Sequence, residues 1–310
     1  MKGFKAYDIR GVYNQDFNQK DVFRLGHFLL DLFDTNSILV GRDKRVSSDE
    51  IHDALVRGIL SRGVDVYDIG YATTPMVYFA AGKKGFDASV QITASHNPRE
   101  YNGFKVSGRE VMPVGYDSGL NLLEKKVIEG IVSVSPKPGN VHQLDIKTEY
   151  IEFLKGYLEE ETNRLKIAVD CSNGMAGLVV RDILGDGPVY LFEEPDGTFP
   201  NHDPNPLKAE NQKTLSKAVV EEQCDLGILF DGDADRVIFL DNQGHFVSPD
   251  LIIALMGHYF LKNRHGKVLQ DIRSSQSVKN YLRQFGAEVD TWKVGRAFAS
   301  PRLKEIDGLY

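Results

Sequence analysis

The sequence predicts repeated three-layer α/β domains, each with a mixed, largely parallel β-sheet between layers of helices. Helix-like and strand-like segments alternate along most of the 310 residues, a pattern that is typical of β-α-β units. The same order of elements recurs in three successive rounds, although residue identities barely repeat between the rounds. The recurrence therefore predicts three related α/β units.

The first round alternates helices and strands up to residue 93. The segment at 18–33 carries a helical apolar stripe that includes Val22, Leu25 and Leu29, and an apolar run at 37–40 predicts a buried strand. Ser47 stands three residues before Glu50, so we expect a capping box to open a helix that ends near residue 61. The remaining predicted elements are a strand at 64–69, a helix at 75–83 and a strand at 88–93.

Two further rounds follow a stretch of turn-forming residues at 133–140. The second round comprises a helix at 149–158, strands at 166–171 and 188–192, a helix at 211–223 and a strand at 226–230. The third comprises a helix at 249–262, a strand at 267–272, a helix at 274–285 and a strand at 287–291. These breaks predict domains at residues 1–140, 141–243 and 244–310.

Composition narrows the class of protein. The net charge of −7 is spread along the chain without a basic block, which argues against nucleic acid as the main partner. Two cysteines imply no disulfide framework and fit a reducing compartment. The first residues lack the apolar core of a signal peptide, and no apolar run is long enough to span a bilayer. We therefore expect a soluble cytoplasmic protein with no membrane partner.

The first chemical motif is Q-I-T-A-S-H-N-P at 91–98, where a predicted strand ends in small polar residues. Pro98 disfavours a helix through this cluster, because the residue before a proline is pushed out of the helical region. Ser95 is therefore expected to be exposed on a stiff turn beside His96 and Asn97. A serine that only caps a turn is the structural alternative.

The second chemical motif is D-G-D-A-D-R at 231–236, directly after the predicted strand at 226–230. Asp231, Asp233 and Asp235 would repel one another if all were ionised at close range, and a bound divalent cation would remove that repulsion. Carboxylate oxygens suit magnesium or calcium. An EF-hand is excluded, because its loop requires glycine and glutamate where this chain has Arg236 and Asn242. A solvated acidic turn is the alternative interpretation.

Basic residues accompany both motifs. Arg236 follows the aspartates directly and has the planar geometry that suits a phosphate, although it could instead balance the neighbouring carboxylates. Arg10, Lys105 and the basic turn at 41–45 add further positive charge, although each cation taken alone is more often a solvated surface group. The chain contains neither a Walker phosphate loop nor a G-x-G-x-x-G motif, which disfavours nucleotide sites of those kinds.

Together these motifs resemble the α-D-phosphohexomutase superfamily. T-A-S-H-N-P at 93–98 and D-G-D-A-D-R at 231–236 carry the resemblance. Y-D-I-R-G at 7–11, G-R-D-K-R at 41–45 and Y-N-G-F-K at 101–105 extend it over essentially the whole chain. Tyr101, where other members have aspartate before the Asn-Gly pair, resembles the phosphomannomutase/phosphoglucomutase branch more than phosphoglucosamine mutase.

The resemblance implies an enzyme that interconverts hexose 1-phosphate and hexose 6-phosphate, with mannose, glucose or both as the sugar. Ser95 is the implied phosphoserine, and hexose 1,6-bisphosphate is the implied intermediate and activator. The implied Mg²⁺ ligands are Asp231, Asp233, Asp235 and an oxygen on Ser95. The implied catalytic set is Ser95, Arg10, His96, Lys105 and Arg236, and the implied substrate-binding set is Asn97, Gly295 and Arg296.

The same resemblance implies that a family member continues beyond Tyr310. The third domain is expected to be incomplete and the fourth absent, so that the loops that read the sugar and clamp the distal phosphate are missing. We therefore expect negligible mutase turnover from residues 1–310 alone, and an apolar face on the third domain that favours self-association. Three alternatives remain open at this point, namely phosphoglucosamine mutase, a metal-dependent sugar phosphatase and a metal- or phosphate-binding module without turnover.

Overall fold

The computed structural model describes residues 1–159, 164–262 and 264–310. The chain divides into two compact units, Met1–His245 and Phe246–Tyr310, and each is described by itself. Within the described ranges, no helix is both long enough and apolar enough to cross a membrane.

In its described residues, the first unit contains two mixed sheets, of which the first holds six strands. These strands are β1 (Ile9–Val12), β2 (Ser37–Arg42), β3 (Asp65–Tyr71), β4 (Ala88–Ile92), β5 (Tyr101–Gly108) and β6 (Val141–Gln143). Their order across the sheet is β1-β5-β4-β2-β3-β6. The central pairs β4/β2, β2/β3 and β3/β6 are parallel, whereas β5 runs antiparallel to both β4 and β1.

Helices cover both faces of the first sheet. They are α1 (Gln19–Leu29), α2 (Ser48–Leu60), α3 (Thr74–Lys84), α4 (Leu120–Glu129) and α5 (Lys147–Lys155). Successive side chains of a strand point to opposite faces. Ile38 and Val40 of β2 accordingly belong to the apolar core formed with α1 and α2, while Leu39 belongs to a separate core formed with α3 and α5. The three-layer α/β arrangement predicted from the sequence is confirmed.

The second sheet lies in the same unit. Its strands within this unit are β7 (Ile167–Asp170), β8 (Val189–Leu191), β9 (Leu226–Phe230) and β10 (Val237–Leu240), and its helices are α6 (Val180–Leu184) and α7 (Ala209–Glu221). The strands run in the order β10-β9-β7-β8. β7 pairs in parallel with β8 and β9, and β9 forms an antiparallel hairpin with β10.

The second unit is the third α/β round. It contains β11 (Phe246–Val247), α8 (Pro249–Phe260), β12 (Gly266–Asp271), α9 (Gln276–Gln284), β13 (Ala287–Trp292) and α10 (Arg296–Glu305). β12 and β13 form a parallel pair. Val268, Val289 and Leu282 are among the apolar residues of a small core between these strands and α9.

The expected capping box at the start of α2 is wrong. Ser47 already has a right-handed helical backbone (φ −91°, ψ −5°), and its side chain makes no capping hydrogen bond. Its hydroxyl instead accepts a hydrogen bond of 2.9 Å from the side-chain amide of Asn102 on β5. A tertiary contact has therefore replaced the local one.

Candidate active site

The two chemical motifs occupy equivalent places in the two sheets of the first unit. The serine loop, residues 93–100, connects β4 to its antiparallel neighbour β5, and the aspartate loop, residues 231–236, connects β9 to its antiparallel neighbour β10. Both loops leave the carboxyl end of a strand that also has a parallel neighbour. Ligands of open α/β sheets bind at such strand ends.

Ser95 is held in a sterically costly conformation. Its φ of 54° lies in the left-handed region, which residues other than glycine rarely adopt. Its backbone N–H donates to Thr93 Oγ1 at 2.9 Å, and its hydroxyl donates to Asp231 Oδ2 at 2.7 Å. The exposed serine expected from the sequence is wrong, since Ser95 is only 1% exposed. Asp231 and Gly232 of the aspartate loop cover it, and a Cβ atom added to Gly232 would lie 2.6 Å from the Ser95 carbonyl oxygen.

The three aspartates of the aspartate loop converge. One carboxylate oxygen from each of Asp231, Asp233 and Asp235 lies within 4.8 Å of the other two. Asp231 and Asp233 are fully buried, and Asp233 Oδ1 has no hydrogen-bond partner among the residues that the structure describes. Buried carboxylate oxygens are normally paired or coordinate a metal. The donor set and the unpaired oxygen therefore fit a hard divalent cation such as Mg²⁺.

The pKa values of Asp231 and Asp233 are shifted in opposite directions. Burial and the neighbouring charge of Asp233 raise the pKa of Asp231 well above its ordinary value. Burial also raises the pKa of Asp233, but the Lys105 ammonium outweighs this effect and holds that pKa below the ordinary range. Lys105 Nζ donates to Asp233 Oδ2 and to Asp235 Oδ2, at 2.5 Å in each case.

Four more of the predicted residues lie close to Ser95 or to its loop. His96 Nδ1 lies 3.4 Å from Ser95 Oγ and accepts a hydrogen bond of 2.7 Å from the guanidinium of Arg236. Arg10 donates to Asn97 Oδ1 at 2.7 Å. Burial, together with the positive charges of Arg236 and Arg10, lowers the pKa of His96 to about 4. His96 is therefore a neutral imidazole near neutral pH, with Nδ1 as an acceptor.

The family models for phosphoglucomutase/phosphomannomutase α/β/α domains I, II and III match residues 1–128, 148–244 and 248–310 in that order. The chain belongs to the phosphoglucomutase/phosphomannomutase family. It is therefore a mutase, an isomerase of carbohydrate metabolism, as the resemblance in the sequence predicted.

Relatives of known name match almost the whole chain. A phosphomannomutase of Escherichia coli is 34% identical over 320 residues, which cover 99% of this chain and 70% of the relative. A phosphomannomutase of Methanocaldococcus jannaschii is 35% identical over 311 residues, which cover 98% of this chain and 68% of the relative.

Solved structures extend the comparison. A phosphoglucomutase/phosphomannomutase family protein from Burkholderia thailandensis superposes with a TM-score of 0.89 at 29% identity, covering 99% of this chain and 70% of its own. The N-acetylphosphoglucosamine mutase of Aspergillus fumigatus, solved with GlcNAc-6P and magnesium, shares the fold at a TM-score of 0.50 and 15% identity. That match covers 89% of this chain and 50% of the mutase.

Two residues of this family member's site were missed in the sequence. Thr74, at the start of α3, donates its backbone N–H to the Asp233 carbonyl at 2.9 Å and its hydroxyl to Asp233 Oδ2. Arg45, in the basic turn after β2, is only 3% exposed and donates to backbone carbonyls of the serine loop. G-R-D-K-R at 41–45 was the available signal for Arg45, and no local pattern marks Thr74.

The two remaining predicted residues lie in the second unit. Gly295, with a φ of 119°, precedes α10, and Arg296 is the first residue of that helix. A positive φ of this size is readily available to glycine alone, so the start of α10 depends on Gly295.

Proposed function

We propose that this chain carries out the phosphoryl-transfer chemistry of a phosphohexomutase at Ser95. The phosphorylated serine transfers its phosphoryl group to a hexose monophosphate, and the resulting hexose 1,6-bisphosphate returns its other phosphate to Ser95. In the family, these two transfers together interconvert hexose 1-phosphate and hexose 6-phosphate. The hexose is mannose, glucose or both, in keeping with the names of the relatives.

The observation that carries this proposal is the contact between the two loops. The Ser95 hydroxyl donates at 2.7 Å to a buried carboxylate of Asp231, beside the unpaired oxygen of Asp233. A nucleophile that contacts a cation-binding carboxylate cluster is the arrangement needed for metal-assisted transfer of phosphate. A serine with a purely structural role would not require two buried aspartates facing it.

Each phosphoryl transfer exchanges one bond to phosphorus and moves one proton. When Ser95 is phosphorylated, a bond forms between Ser95 Oγ and phosphorus, and the bond between phosphorus and the sugar oxygen breaks. The proton lost by Ser95 has two acceptors within reach, Asp231 Oδ2 at 2.7 Å and His96 Nδ1 at 3.4 Å. The leaving sugar oxygen takes up one proton, so none is consumed overall. The return transfer reverses each of these changes.

Positive charge around the transferred group is the second requirement. Phosphoryl transfer needs little covalent help and depends on positioning and on neutralising the phosphoryl oxygens. Arg10, Arg236 and Lys105 bring three cations to the surroundings of Ser95 and the triplet. We assign them to the phosphoryl group. Asp231, which accepts a hydrogen bond from the Ser95 hydroxyl, joins Lys105 and His96 as a candidate for proton transfer.

Asp231, Asp233, Asp235 and an oxygen on Ser95 would hold Mg²⁺. A bound Mg²⁺ would neutralise phosphoryl oxygens and stabilise the charge of the transition state by several kcal/mol. The chain's own residues prepare this site, since Thr74 and Lys105 both bind Asp233 Oδ2 and leave Oδ1 unpaired. Hexose 1,6-bisphosphate would act as the activator by phosphorylating Ser95.

The proposal includes the substrate-binding residues and the domain boundaries predicted from the sequence. Asn97, Gly295 and Arg296 are proposed substrate-binding residues, and 1–140, 141–243 and 244–310 are the proposed domain boundaries. A cytoplasmic location and the absence of nucleic-acid and membrane partners also stay predictions.

Intact-mass and peptide analysis after incubation with hexose 1,6-bisphosphate and Mg²⁺ tests the proposal. We expect one added phosphate per chain, on Ser95, and none in Ser95→Ala. Ser107→Ala is the matched control, because Ser107 is equally buried on β5 and its hydroxyl has no hydrogen-bond partner in the described part of the chain. Phosphate on an aspartate or on His96 in the parent protein would refute the serine mechanism.

Product analysis separates the mutase from the alternatives. With hexose 1-phosphate and catalytic bisphosphate, a mutase forms hexose 6-phosphate, whereas a phosphatase releases inorganic phosphate. Mg²⁺ binding with neither product and with no phosphate on Ser95 would indicate a binding module.

A further inference from the structure

We infer that Arg45 is a positioning residue: its guanidinium fixes the backbone of the serine loop and so keeps Ser95 Oγ within reach of Asp231. This inference rests on the proposed role of Ser95. The hydrogen bonds of Arg45 go to backbone carbonyls and to Asp43, and not to the Ser95 side chain or to the aspartate triplet. Its contribution is therefore made through the main chain.

The hydrogen-bond donors of Arg45 are all in use. A guanidinium has five N–H donors in a rigid planar fork. The two terminal nitrogens donate to four carbonyl oxygens of one short segment, those of Ser95 (2.8 Å), Asn97 (2.7 Å), Pro98 (2.7 Å) and Tyr101 (3.1 Å). The fifth donor, Nε–H, binds Asp43 Oδ2 at 3.1 Å. No donor is left for a substrate phosphate, so Arg45 acts by positioning.

The surroundings of Arg45 hold it rigidly. Its side chain is fully buried, and Asp43, also buried, compensates its charge. Asp43 is itself fixed by a hydrogen bond of 2.6 Å from the Ser48 hydroxyl at the start of α2. The ring of Phe199, which belongs to the second-sheet part of the chain, lies 5.0 Å from the guanidinium carbon. Arg45 thus links the serine loop, through hydrogen bonds, to Asp43 and, through contact with the aromatic ring, to Phe199.

The serine loop needs such a restraint. The left-handed backbone at Ser95 is unfavourable for a residue with a side chain and persists only where surrounding contacts enforce it. The Arg45 bond to the Ser95 carbonyl acts on this same residue, and the bonds to Asn97 and Pro98 fix the segment that follows. A displacement of about 1 Å at a reacting centre can lower a rate by about 10²-fold.

Arg45→Lys tests the inference. The lysine keeps a positive charge opposite Asp43, but its three donors cannot serve four carbonyls and a carboxylate. Arg24→Lys is the matched control, because Arg24 also donates to three backbone carbonyls (Lys126, Val127 and Gly130), here at the end of α4. Phe199→Leu is a milder second variant that removes the ring and leaves all five donors of Arg45.

Hydrogen exchange is the first measurement, since it needs no activity. We expect Arg45→Lys to speed amide exchange in the peptide that covers the serine loop, and Arg24→Lys to speed it only near the end of α4. Phe199→Leu should change the serine loop in the same direction but less. Parental exchange of the serine loop in both Arg45→Lys and Phe199→Leu would overturn the inference.

The second measurement is single-turnover labelling of Ser95 by hexose 1,6-bisphosphate with saturating Mg²⁺. The amplitude reports the folded fraction, whereas the first-order rate constant does not depend on it. We expect Arg45→Lys to lower the rate constant by about 10-fold to 10²-fold and to lower the amplitude less. A parental rate constant would overturn the inference. If the parent protein itself takes no phosphate on Ser95, the proposed function fails, and hydrogen exchange still decides whether Arg45 holds the loop.

Discussion

Replacing Asp233 with asparagine should separate the metal site from the fold. Asparagine has nearly the shape of aspartate, but one oxygen becomes an N–H₂ group and the negative charge is lost. Asp233 Oδ2 accepts hydrogen bonds from Lys105 and Thr74, and Oδ1 is buried and unpaired. An amide facing Lys105 with its nitrogen opposes two donors, and an amide turned the other way points N–H₂ at the proposed cation. Either orientation loses one necessary interaction.

Asp233→Asn should lower both the stability of the fold and the rate of Ser95 labelling. Removing one partner of a buried ion pair costs about 3–5 kcal/mol, and the lower end, about 3 kcal/mol, applies here because Lys105 keeps Asp235 at 2.5 Å. Loss of a charged ligand removes part of the several kcal/mol that a metal contributes to the transition state. At about 1.4 kcal/mol per tenfold in rate, a loss of 3–4 kcal/mol lowers the rate of Ser95 labelling by about 10²–10³-fold.

The assay combines calorimetric titration with Mg²⁺, single-turnover labelling of Ser95 and thermal unfolding. Asp186→Asn is the control, because it makes the same change of charge at an ion-paired aspartate whose side chain is 90% exposed. We expect Asp233→Asn to bind Mg²⁺ weakly and to label slowly, and Asp186→Asn to match the parent in both. A folded Asp233→Asn protein with parental Mg²⁺ affinity and labelling rate would show that the aspartates are not the metal site.

Two further predictions concern the first unit. Gly232→Ala places a Cβ atom 2.6 Å from the Ser95 carbonyl oxygen, so it should destabilise the protein by about 1–3 kcal/mol and slow labelling in single-turnover measurements. Gly187→Ala is the control and should do neither, because no described atom lies within 4 Å of the added Cβ. Burial lowers the pKa of His202, but Asp170 outweighs burial and holds that pKa above 6.5. The stabilisation that protonated His202 gains from Asp170 is complete below pH 6.5 and is lost as the pH rises through the folded-state pKa. The Tm should therefore fall more steeply above pH 6.5 in the parent than in His202→Asn. Equal slopes would refute the role of this pair.

Local patterns were sufficient to predict most of the fold. The strand at 226–230 is observed with those bounds, and the helices and strands expected in each round are present with small shifts at their ends. These elements have strong periodicity or an unbroken apolar run, and both signals are local. β1 and β5 were not predicted as strands, because Y-D-I-R-G and Y-N-G-F-K are rich in polar residues and glycine, and their pairing with each other is a long-range interaction.

The candidate site was predictable only where its chemistry is written in one short segment. Ser95 lies three residues after β4, and the aspartate triplet begins directly after β9, which marks them as loop residues at a sheet edge. The burial of Arg45 could not be inferred, since its four carbonyl partners lie 50 to 56 residues further along the chain. The Thr74 bond to Asp233 spans 159 residues. A basic or hydroxyl side chain with such distant partners looks like a surface residue in the sequence.

The chemistry depends on how closely the two loops approach. The serine comes from the first sheet and the carboxylates from the second, so neither sheet holds both the nucleophile and the proposed cation ligands. Gly232 permits the approach because it has no side chain, while Lys105 of β5 and Thr74 of α3 both bind Asp233. Since each contact fixes a distance between reacting groups, small changes at this junction should alter the rate of phosphoryl transfer more than the stability of either sheet.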